Sequence, residues 1–436
     1  MSLRRHSQYR LSNYASIIPA EDDRIFLVSS LYGTSLALSG LTCSGNTRDA
    51  LLRSELPEEI HNLLRRTGLI TLLSDEEERK LMRRFVADQA DRAPFELILL
   101  PHENCNFRCE YCYESFARNL MRPEVVEAVK LFLARNIKQW SGLKIGWFGG
   151  EPLLGFRVLE NVMLAARELC KQAEIRLFSD ITTNGFLLDQ HRFHRLLQLE
   201  VSDFQITLDG PPEIHDKKRR HIKGVSSYFR ILENLRYMAS TSEQFCCIIR
   251  VNFDRENFEP IKNWLPQMAE AFGEDARFEL SFHDIWGMHC PVEQLFDAAS
   301  VHSARTELQS TAVACGWKFS KATSLDSYKP SGSVCYAAKR NSFIVGSDGS
   351  VYKCTVALDD PINKIGTISS AGTLELDAEL HSRWTEVDFS KTPKCSSCWF
   401  APSCQGRSCP LNTIKSAGVP DCPSVKFQPD FDLTSL

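Results

Sequence analysis

The sequence predicts an α/β protein. A partial (βα)6 TIM-like barrel is expected over residues 95–325, between a small N-terminal α+β domain (1–94) and a cysteine-rich C-terminal domain (326–436). Strand-like and helix-like segments alternate six times in the central region, which is the pattern of a parallel sheet with helical crossovers. The first 94 residues contain a hairpin followed by short helices. From about Ser331 the chain is irregular and rich in Cys, Gly, Pro and Ser, a composition that metal ligation can hold together.

The six βα repeats define where chemistry is expected. The predicted strands are Phe95–Leu100, Lys144–Phe148, Ile175–Ile181, Asp203–Leu208, Cys246–Asn252 and Phe278–Phe282. The predicted helices are Pro123–Gln139, Phe156–Gln172, Gln190–Leu199, Ser226–Ala239, Phe258–Ala271 and Val292–Cys315. Because functional residues of parallel α/β folds gather at the carboxyl ends of the strands, motifs that follow these strands are candidates for the site.

The N-terminal segment carries its own structural signals. Arg24–Leu38 is predicted to form a hairpin around Tyr32 and Gly33, Leu56–Leu64 a first helix, and Ser74–Ala87 a second helix with an N-terminal cap. This order resembles the winged-helix peptide-recognition domain found in peptide-modifying systems. The alternative is a domain that only packs against the barrel.

Composition excludes several classes of protein. The chain has 436 residues, 43% of them hydrophobic and 24% charged, with a net charge of −4. Nothing here indicates a generic nucleic-acid binder. No stretch approaches the roughly 18 apolar residues that span a bilayer, and the basic segment Met1–Tyr14 is not followed by an apolar run. We therefore expect a cytoplasmic protein with no nucleic-acid or membrane partner.

Cysteine is the unusual component, with sixteen residues. In a reducing compartment such a number favours metal binding or catalysis over disulfides. The first cluster is Cys105-Asn-Phe-Arg-Cys109-Glu-Tyr-Cys112. Three thiolates on one loop can bind three irons of a 4Fe–4S cluster and leave the fourth iron open. A structural zinc site, the alternative, usually has four protein ligands.

This CxxxCxxC motif, with the aromatic Tyr111 before its last cysteine and a strand before the loop, resembles the signature of the radical S-adenosylmethionine (SAM) superfamily. The resemblance implies that the methionine amine and carboxylate of SAM chelate the open iron. It further implies that an electron from an external flavodoxin- or ferredoxin-like donor cleaves SAM to a 5′-deoxyadenosyl radical, which abstracts a substrate hydrogen.

Four strand ends then supply candidate SAM contacts. The resemblance assigns Gly149, Gly150, Glu151 and Pro152 to the methionine amine, Thr207 and Asp209 to the ribose, and Arg250 to the methionine carboxylate; Thr183 and Asn184 lie at the same edge. Glycines permit close approach to a ligand, and a guanidinium suits a carboxylate. The alternatives are ordinary turn chemistry at the Asn-Gly and Asp-Gly pairs and a surface role for the arginine.

Further polar residues near the predicted barrel mouth have no assigned role. The basic segment from His215 to Arg220 is expected either to hold an acidic substrate or to be a solvated face. Glu279, His283 and Asp284 are candidates for an acid or base, and no catalytic residue is predicted.

Seven cysteines near the C-terminus form a second pattern. Cys335 is followed by thirteen residues, Gly349, four residues and Cys354. Cys395, Cys398, Cys404, Cys409 and Cys422 complete the series. These spacings resemble the SPASM domain, except that four residues rather than three separate the last two cysteines of the run, at Cys404 and Cys409.

The SPASM resemblance implies two auxiliary clusters, and therefore three [4Fe–4S] clusters in the chain. It assigns Cys395, Cys398, Cys404 and Cys422 to the distal cluster, and Cys335, Cys354 and Cys409 to the proximal cluster. The fourth proximal position is either open or filled by an upstream cysteine such as Cys315. A zinc ribbon is the alternative.

SPASM enzymes characteristically modify ribosomally made peptides. The resemblance therefore implies a precursor-peptide substrate and a thioether or carbon–carbon crosslink as product. An anaerobic sulfatase-maturating enzyme is the first alternative, although that subfamily usually has an aspartate where this chain has Thr355. An RNA-modifying radical enzyme would carry a basic face, and a non-catalytic metal-binding scaffold would not leave a coordination position open. The sequence does not indicate the oligomeric state.

Overall fold

The structure is a computed structural model that describes residues 9–19, 24–39, 58–286, 290–297, 300–317, 327–386, 392–423 and 426. These residues fall into two compact units. The barrel unit lies within residues 94–319 and 341–381, and the terminal unit lies within residues 1–93, 320–340 and 382–436. Each unit is therefore formed by more than one segment of the chain.

The barrel unit is built on a ten-stranded sheet. Its strands are β6 (Phe95–His102), β8 (Gly142–Gly149), β9 (Arg176–Thr183), β10 (Asp203–Thr207), β12 (Cys246–Phe253), β13 (Phe278–Asp284), β14 (Ser342–Val345), β15 (Ser350–Tyr352), β16 (Lys364–Ile368) and β17 (Leu374–Leu376). The order is β13-β12-β10-β9-β8-β6-β14-β15-β16-β17. The first seven strands in this order pair in parallel, so their carboxyl ends share one edge.

Helices connect the parallel strands. They are α3 (Pro123–Asn136), α4 (Phe156–Ala173), α5 (Gln190–Gln198), α6 (Pro212–Lys218), α7 (Tyr228–Ser240), α8 (Phe258–Phe272) and α9 (Ser300–Ala314). In α4 the residues Leu159, Val162, Met163 and Ala166 are buried, which is the spacing of one helical face against a sheet. The predicted α/β fold with a partial barrel is confirmed.

Two features of the barrel unit differ from the sequence prediction. The last helix was expected to begin at Val292, but Val292–Gln294 form a separate 3-10 turn and α9 begins at Ser300. The segment 341–381, expected in the C-terminal domain, adds the parallel strand β14 beside β6 and then three antiparallel strands. Main-chain pairing along a sheet edge is thus what joins this segment to the barrel.

The terminal unit contains a three-stranded antiparallel sheet of β2 (Ala15–Pro19), β3 (Arg24–Ser29) and β4 (Thr34–Ser39). A second, two-stranded sheet pairs β1 (Arg10–Leu11) with β5 (Ile70–Thr71). The remaining elements are α1 (Glu58–Arg66), α2 (Asp75–Arg92), α10 (Ala378–Thr385), α11 (Pro393–Ser396), α12 (Ala401–Cys404) and α13 (Pro410–Lys415); α10 begins in the barrel unit. The predicted hairpin and both predicted helices are present.

Helix α2 shows why these elements form where they do. The Ser74 side chain accepts a hydrogen bond from the Glu77 backbone, and the Glu77 carboxylate accepts one from the Ser74 backbone at 2.8 Å. This reciprocal capping box satisfies two amides at the helix start.

The N-terminal sheet and the C-terminal cysteine segment share one hydrophobic core. Ile18, Phe26 and Val28 are buried with Phe400 and Cys404. The Ser30 hydroxyl also donates a hydrogen bond to the Trp399 carbonyl. The two ends of the chain, which were expected as separate domains, are therefore one packing unit.

None of the helices in the described ranges has the length and apolar character needed to cross a membrane.

The shared core predicts energetic coupling between distant sequence positions. Phe26→Ala and Phe400→Ala should each destabilise the chain by about 3–5 kcal/mol, because each removes a buried ring. The double variant should deviate from the sum by about 0.5–3 kcal/mol, since the residues share one core. Denaturant unfolding under anaerobic conditions measures both quantities. Additivity within about 0.5 kcal/mol would show that the two ends do not pack together.

Candidate functional site

The cysteine loop, residues 105–112, follows the carboxyl end of β6 and contains its own short strand. Strand β7 (Phe107–Cys109) pairs antiparallel with β11 (Arg219–His221), and Cys109 lies opposite Arg219. The Glu110 amide donates to the Lys218 carbonyl at 2.9 Å. Main-chain pairing to a segment a hundred residues downstream therefore fixes the loop.

The three thiols of the loop lie in a protein-lined environment. The Phe107 amide donates to Cys105 Sγ at 3.3 Å, and Asn184 Nδ2 donates to the same sulfur at 3.7 Å. Burial raises the pKa of the Cys105 thiol to about 12 and that of Cys112 to about 11, while the charge of Arg219 acts in the opposite direction. Thiolate ligation here requires further positive charge, which iron supplies on binding.

Unsatisfied donors around the loop test whether a cluster fits. Asn106 Nδ2 and Arg219 Nε are buried donors without a partner within the described part of the chain. Asn106 adjoins Cys105, and Arg219 lies opposite Cys109. Hydrogen bonds to cluster sulfurs are a known feature of such sites. Three thiols on one loop, bordered by free donors, fit an iron–sulfur cluster.

The described ranges contain no group of three or more His, Cys, Asp or Glu side chains that could hold a metal ion. Cysteine ligands of a four-iron cluster bind separate iron atoms and do not converge on one point as the ligands of a single ion do.

Gly149 and Gly150 pack against the backbone that leads into the cysteine loop. A Cβ on Gly149 would lie 2.7 Å from the His102 carbonyl oxygen, and one on Gly150 would lie 2.6 Å from that of Asn104. Gly149 also has φ +115°, which disfavours any other residue. The observed reason for both glycines is this close backbone contact. Their predicted contact with SAM stays a prediction.

Glu151 joins two strand ends beneath the loop. Its fully buried carboxylate accepts from Thr183 Oγ1 at 2.7 Å, and from the backbone amides of Leu153 at 2.9 Å and Asn184 at 2.8 Å. Burial raises the pKa of this carboxyl, against the effect of these hydrogen bonds. Pro152 opens the 3-10 turn that follows. Glu151 is therefore a connector between β8 and β9.

Asn184 extends this connection to the cysteines. Its Nδ2 donates to Asn106 Oδ1 at 2.8 Å as well as to Cys105 Sγ. The structure thus brings together two strand-end motifs that the sequence singled out separately: Glu151 from one, and Thr183 with Asn184 from the other.

Asp209 anchors the other side of the loop. The Tyr111 hydroxyl donates to its Oδ2, while its Oδ1 accepts from the Asn252 amide at 2.8 Å and from Asn252 Nδ2 at 3.1 Å. Arg219 Nη1 donates to the Tyr111 hydroxyl at 2.7 Å and lies 4.0 Å from Asp209 Oδ2. Asp209 was predicted to contact ribose, but here its hydrogen bonds hold Tyr111 and Asn252.

Thr207 and Arg250 are neighbours on adjacent strands, β10 and β12. Thr207 is buried, and Arg250 is half-buried with its Nε donating to Asn252 Oδ1 at 2.8 Å. The structure places both at the expected edge. Their roles toward ribose and carboxylate stay predictions.

The basic segment His215–Arg220 is only in part a solvated face, since Lys217 and Arg220 are exposed. His215, Lys218 and Arg219 are buried. Lys218 Nζ pairs with Asp254 at 2.6 Å, and His215 Nδ1 accepts from the Asp209 amide at 3.2 Å. The side chains of His215, Lys218 and Arg219 pack in the protein interior and cannot bind an acidic substrate.

Three residues of β13 were candidates for acid or base roles. Burial, assisted by the charges of Arg250 and Arg305, lowers the pKa of His283 to about 3, and His283 Nε2 lies 3.0 Å from Ser281 Oγ. Asp284 is paired with Arg305. Burial raises the pKa of Glu279. Neutral His283 is therefore the state present at physiological pH.

Comparison with known proteins now identifies the domain. The Radical SAM superfamily profile matches residues 99–265, which contain the cysteine loop and the carboxyl ends of β6, β8, β9, β10 and β12. This chain carries a radical SAM domain.

Curated relatives resemble this sequence at low identity. A cysteine-type anaerobic sulfatase-maturating enzyme of Clostridium perfringens strain 13 is 22% identical over 355 residues, covering 72% of this chain and 88% of the relative. A serine-type enzyme of Bacteroides thetaiotaomicron is 28% identical over 158 residues, covering 34% of this chain and 37% of the relative.

Solved structures extend the likeness of fold. The structure of anSMEcpe with bound AdoMet has a TM-score of 0.56 at 18% identity and covers 72% of this chain and 88% of its own. Streptococcus suis SuiB bound to precursor peptide SuiA has a TM-score of 0.51 at 16% identity, with coverages of 96% and 99%.

The radical SAM domain is accompanied by the C-terminal cysteines. Cys395, Cys398, Cys404 and Cys422 are close enough to interact electrostatically: burial and then the neighbouring thiols raise the pKa of Cys395, and burial raises that of Cys404 to about 11, with Cys398, Cys395 and Cys422 adding to the shift. The four residues assigned to a distal cluster therefore belong to the terminal unit and are near enough for their charges to influence one another.

The three residues assigned to a proximal cluster are divided between the units. Cys335 and Cys409 belong to the terminal unit, where the Cys335 amide donates to the Arg407 carbonyl at 3.0 Å. Cys354 belongs to the barrel unit and is buried. The proximal cluster stays a prediction.

The sequence did not reveal Arg219, Asn252 or the hydroxyl of Tyr111 as parts of the site. Arg219 was hidden in a run of charges, and Tyr111 stood out only as an aromatic residue. Their link is Asp209, and an Asp-Gly pair alone does not distinguish a turn from an anchor.

The close packing of Gly150 predicts a loss of cluster binding on substitution. Gly150→Ala should displace the Asn104 backbone and reduce the iron retained by the cysteine loop. Gly142→Ala is the matched control, because its Cβ would meet nothing nearer than 3.4 Å. Iron and sulfide analysis after anaerobic reconstitution measures the effect. Equal iron content in both variants would contradict this role.

The buried neutral state of His283 predicts a pH effect. A histidine whose pKa is lowered from 6.5 to about 3 on folding destabilises the folded chain as pH falls between these values, because the unfolded chain binds the additional proton. His283→Gln should weaken this pH dependence of the unfolding free energy, whereas His191→Gln, at an exposed position, should not. Urea unfolding of the iron-free chain from pH 7 to about pH 4 measures the slopes. Equal slopes in both variants would contradict the assignment.

Proposed function

We propose that this radical SAM enzyme modifies a ribosomally synthesised precursor peptide by forming a thioether or carbon–carbon crosslink. The observation that carries the proposal is the grouping of Cys395, Cys398, Cys404 and Cys422 in one unit, in a chain whose barrel holds a separate three-cysteine loop. A second iron–sulfur centre is typical of the SPASM enzymes that the sequence resembles.

A peptide or protein substrate is supported by both kinds of relative. Several of the curated relatives, among them the enzymes of Clostridium perfringens and Bacteroides thetaiotaomicron, are named for the maturation of a sulfatase, which is a protein. SuiB has been solved with its precursor peptide, and anSMEcpe with bound AdoMet and the Cp18Cys peptide. The chain covers 88% of the first of these relatives and 99% of SuiB, so the comparison extends over nearly the whole of each protein.

Different residues would hold the cluster and SAM. Cys105, Cys109 and Cys112 would hold a [4Fe–4S] cluster. The backbone of Gly149 and Gly150, with Thr207, Asp209 and Arg250, would hold SAM. When bound, SAM and the reduced cluster supply a 5′-deoxyadenosyl radical that removes a hydrogen atom from the substrate.

The protein itself supplies rigidity and the exclusion of water around this edge. Glu151 and Asp209 are fully buried, and each ties two strand ends together. Neutral His283 on β13 and half-buried Arg250 on the neighbouring β12 lie at the same edge. Because Arg250 is assigned to SAM, His283 is a group that can orient a polar part of the substrate.

The N-terminal sheet is the proposed peptide-recognition element. Its three antiparallel strands precede α1 and α2, in the order expected for the winged-helix domain. A cavity of about 490 Å³ in the same unit is lined by aromatic and charged residues, including Tyr9, Tyr32, Arg65 and Glu78. An extended peptide can add to a sheet edge through main-chain hydrogen bonds, with side chains filling adjacent cavities.

Sulfatase maturation is the second candidate, and the curated relatives favour it. Thr355 weighs against it, because the maturases usually have an aspartate there. In this structure Thr355 begins a 3-10 turn directly after Cys354.

The two candidates predict different products. The reconstituted chain should be incubated anaerobically with SAM, a reductant and either a candidate precursor peptide, sought among short reading frames near its gene, or a sulfatase-derived peptide. A crosslink removes two hydrogens from the precursor peptide and creates no aldehyde, whereas formylglycine is an aldehyde that reacts with hydrazides. Mass spectrometry with and without hydrazide decides between them. A hydrazide-reactive sulfatase peptide with an unchanged precursor peptide would overturn the crosslinking proposal.

Cysteine variants test the roles of the loop cluster and the distal cluster separately. Cys105→Ala should abolish formation of 5′-deoxyadenosine, because it removes a ligand of the SAM-binding cluster. Cys398→Ala should retain 5′-deoxyadenosine formation but lose crosslinked product. Cys170→Ala, a buried cysteine of α4 outside both groups, is the control. Full product formation by Cys398→Ala would show that the C-terminal cysteines have no part in the reaction.

A further inference from the structure

Arg219 is a buried cation with no part in the assignments above. Its side chain is 9% exposed and lies on β11 directly opposite Cys109. Its Nη1 donates to the hydroxyl of Tyr111, between Cys109 and Cys112, at 2.7 Å. The guanidinium is thus attached to the cysteine loop by strand pairing and by a side-chain hydrogen bond.

The charge of Arg219 is only partly compensated. Asp209 Oδ2 lies 4.0 Å away, and this carboxylate already accepts hydrogen bonds from Tyr111 and Asn252. Arg219 Nε has no partner within the described residues. A buried charge acts over a greater distance than an exposed one because solvent screens it less.

Other cations near the loop are exposed or, like the buried Lys218, paired with carboxylates. Arg108 of β7 and Arg220 of β11 lie opposite each other in the strand register, and both side chains are exposed to solvent. Arg219 is the residue of β11 whose charge acts on all three loop thiols, Cys105, Cys109 and Cys112.

We propose that Arg219 is a positioning residue that raises the reduction potential of the cluster held by the cysteine loop, and that Asp209 partly offsets this effect. Reduction of the cluster takes one electron from an external donor and adds one negative charge. A nearby buried positive charge stabilises the added charge, and a buried carboxylate destabilises it. This inference depends on the cluster assignment and is independent of the peptide substrate.

A purely structural role would give a different pattern. If Arg219 only holds Tyr111 in place, substituting either Arg219 or Asp209 would disturb the loop in the same way, whether the charge removed is positive or negative. An electrostatic role requires that removing the cation and removing the anion shift the potential in opposite directions. The variants Arg219→Gln and Asp209→Asn provide this comparison, since each replaces a charged group by a neutral amide; Asn has the shape of Asp, and Gln is shorter than Arg.

The experiment is a potentiometric titration of the full chain with dithionite after anaerobic reconstitution, followed by electron paramagnetic resonance. The cluster of the loop is identified as the signal that SAM perturbs in the wild-type chain, and potentials are then measured without SAM. Arg219→Lys retains the charge. Arg220→Gln is the matched control, because it removes an exposed cation from the next position of the same strand.

We expect Arg219→Gln to lower the equilibrium constant for reduction about tenfold, which for one electron is a shift of 59 mV to more negative potential. Asp209→Asn should shift the potential to more positive values, and Arg219→Lys and Arg220→Gln should shift it by less than half as much as Arg219→Gln. Equal potentials in Arg219→Gln and Arg220→Gln would overturn the inference, as would shifts of one sign in Arg219→Gln and Asp209→Asn.

Two further outcomes are decisive. If Arg219→Gln does not retain iron, Asp209→Asn decides: a more positive potential supports the inference and an unchanged one overturns it. If the wild-type chain itself binds no iron, the cluster assignment fails, and the inference fails with it.

Discussion

The cysteine loop depends on buried hydrogen bonds that reach it from two sides. Glu151 and Asn184 approach from β8 and β9, and Asp209, Asn252 and Arg219 approach from β10, β12 and β11. Each of these hydrogen-bonding residues lies at or just beyond the carboxyl end of a parallel strand, except Arg219 on β11. The shared edge of the sheet is thus what allows residues far apart in sequence to hold one eight-residue loop.

The cost of this arrangement is the burial of several charges. Glu151, Asp209 and Arg219 all lie in the interior, and removing one member of a buried pair typically costs about 3–5 kcal/mol, because the other is left uncompensated. Apolar residues could fill the same space with less risk to stability. The network is better understood as fixing the position of three sulfurs and the electrostatic field around them.

Much of the barrel could be predicted from sequence, because its strands and helices have strong and distinct periodicities. The seventh parallel strand, β14, could not, since four residues in an irregular region give no periodic signal. The cysteines were found because spacing alone is specific. Arg219 and Asn252 were not found, because hydrogen bonds between strand ends depend on register, and register is a property of the folded sheet.

The glycines show a partial success of the same kind. The Gly149-Gly150 pair was expected to bring the backbone close to a ligand, and the structure shows close approach to the backbone of the cysteine loop. The conformational reason was right for the contact observed, and the predicted contact with SAM stays a prediction. The shared core of Phe26 and Phe400 could not be predicted, because the local sequence of neither segment indicates which distant segment it packs against.

The central claim is that the cysteine loop holds an iron–sulfur cluster and that the C-terminal cysteines hold others. Iron and acid-labile sulfide per chain, measured after anaerobic reconstitution of the wild type and of Cys105→Ala, tests it most directly. Three four-iron clusters predict about twelve of each in the wild type, and the variant should lose about four. Zinc in place of iron, or a Cys105→Ala variant with unchanged iron, would contradict the account.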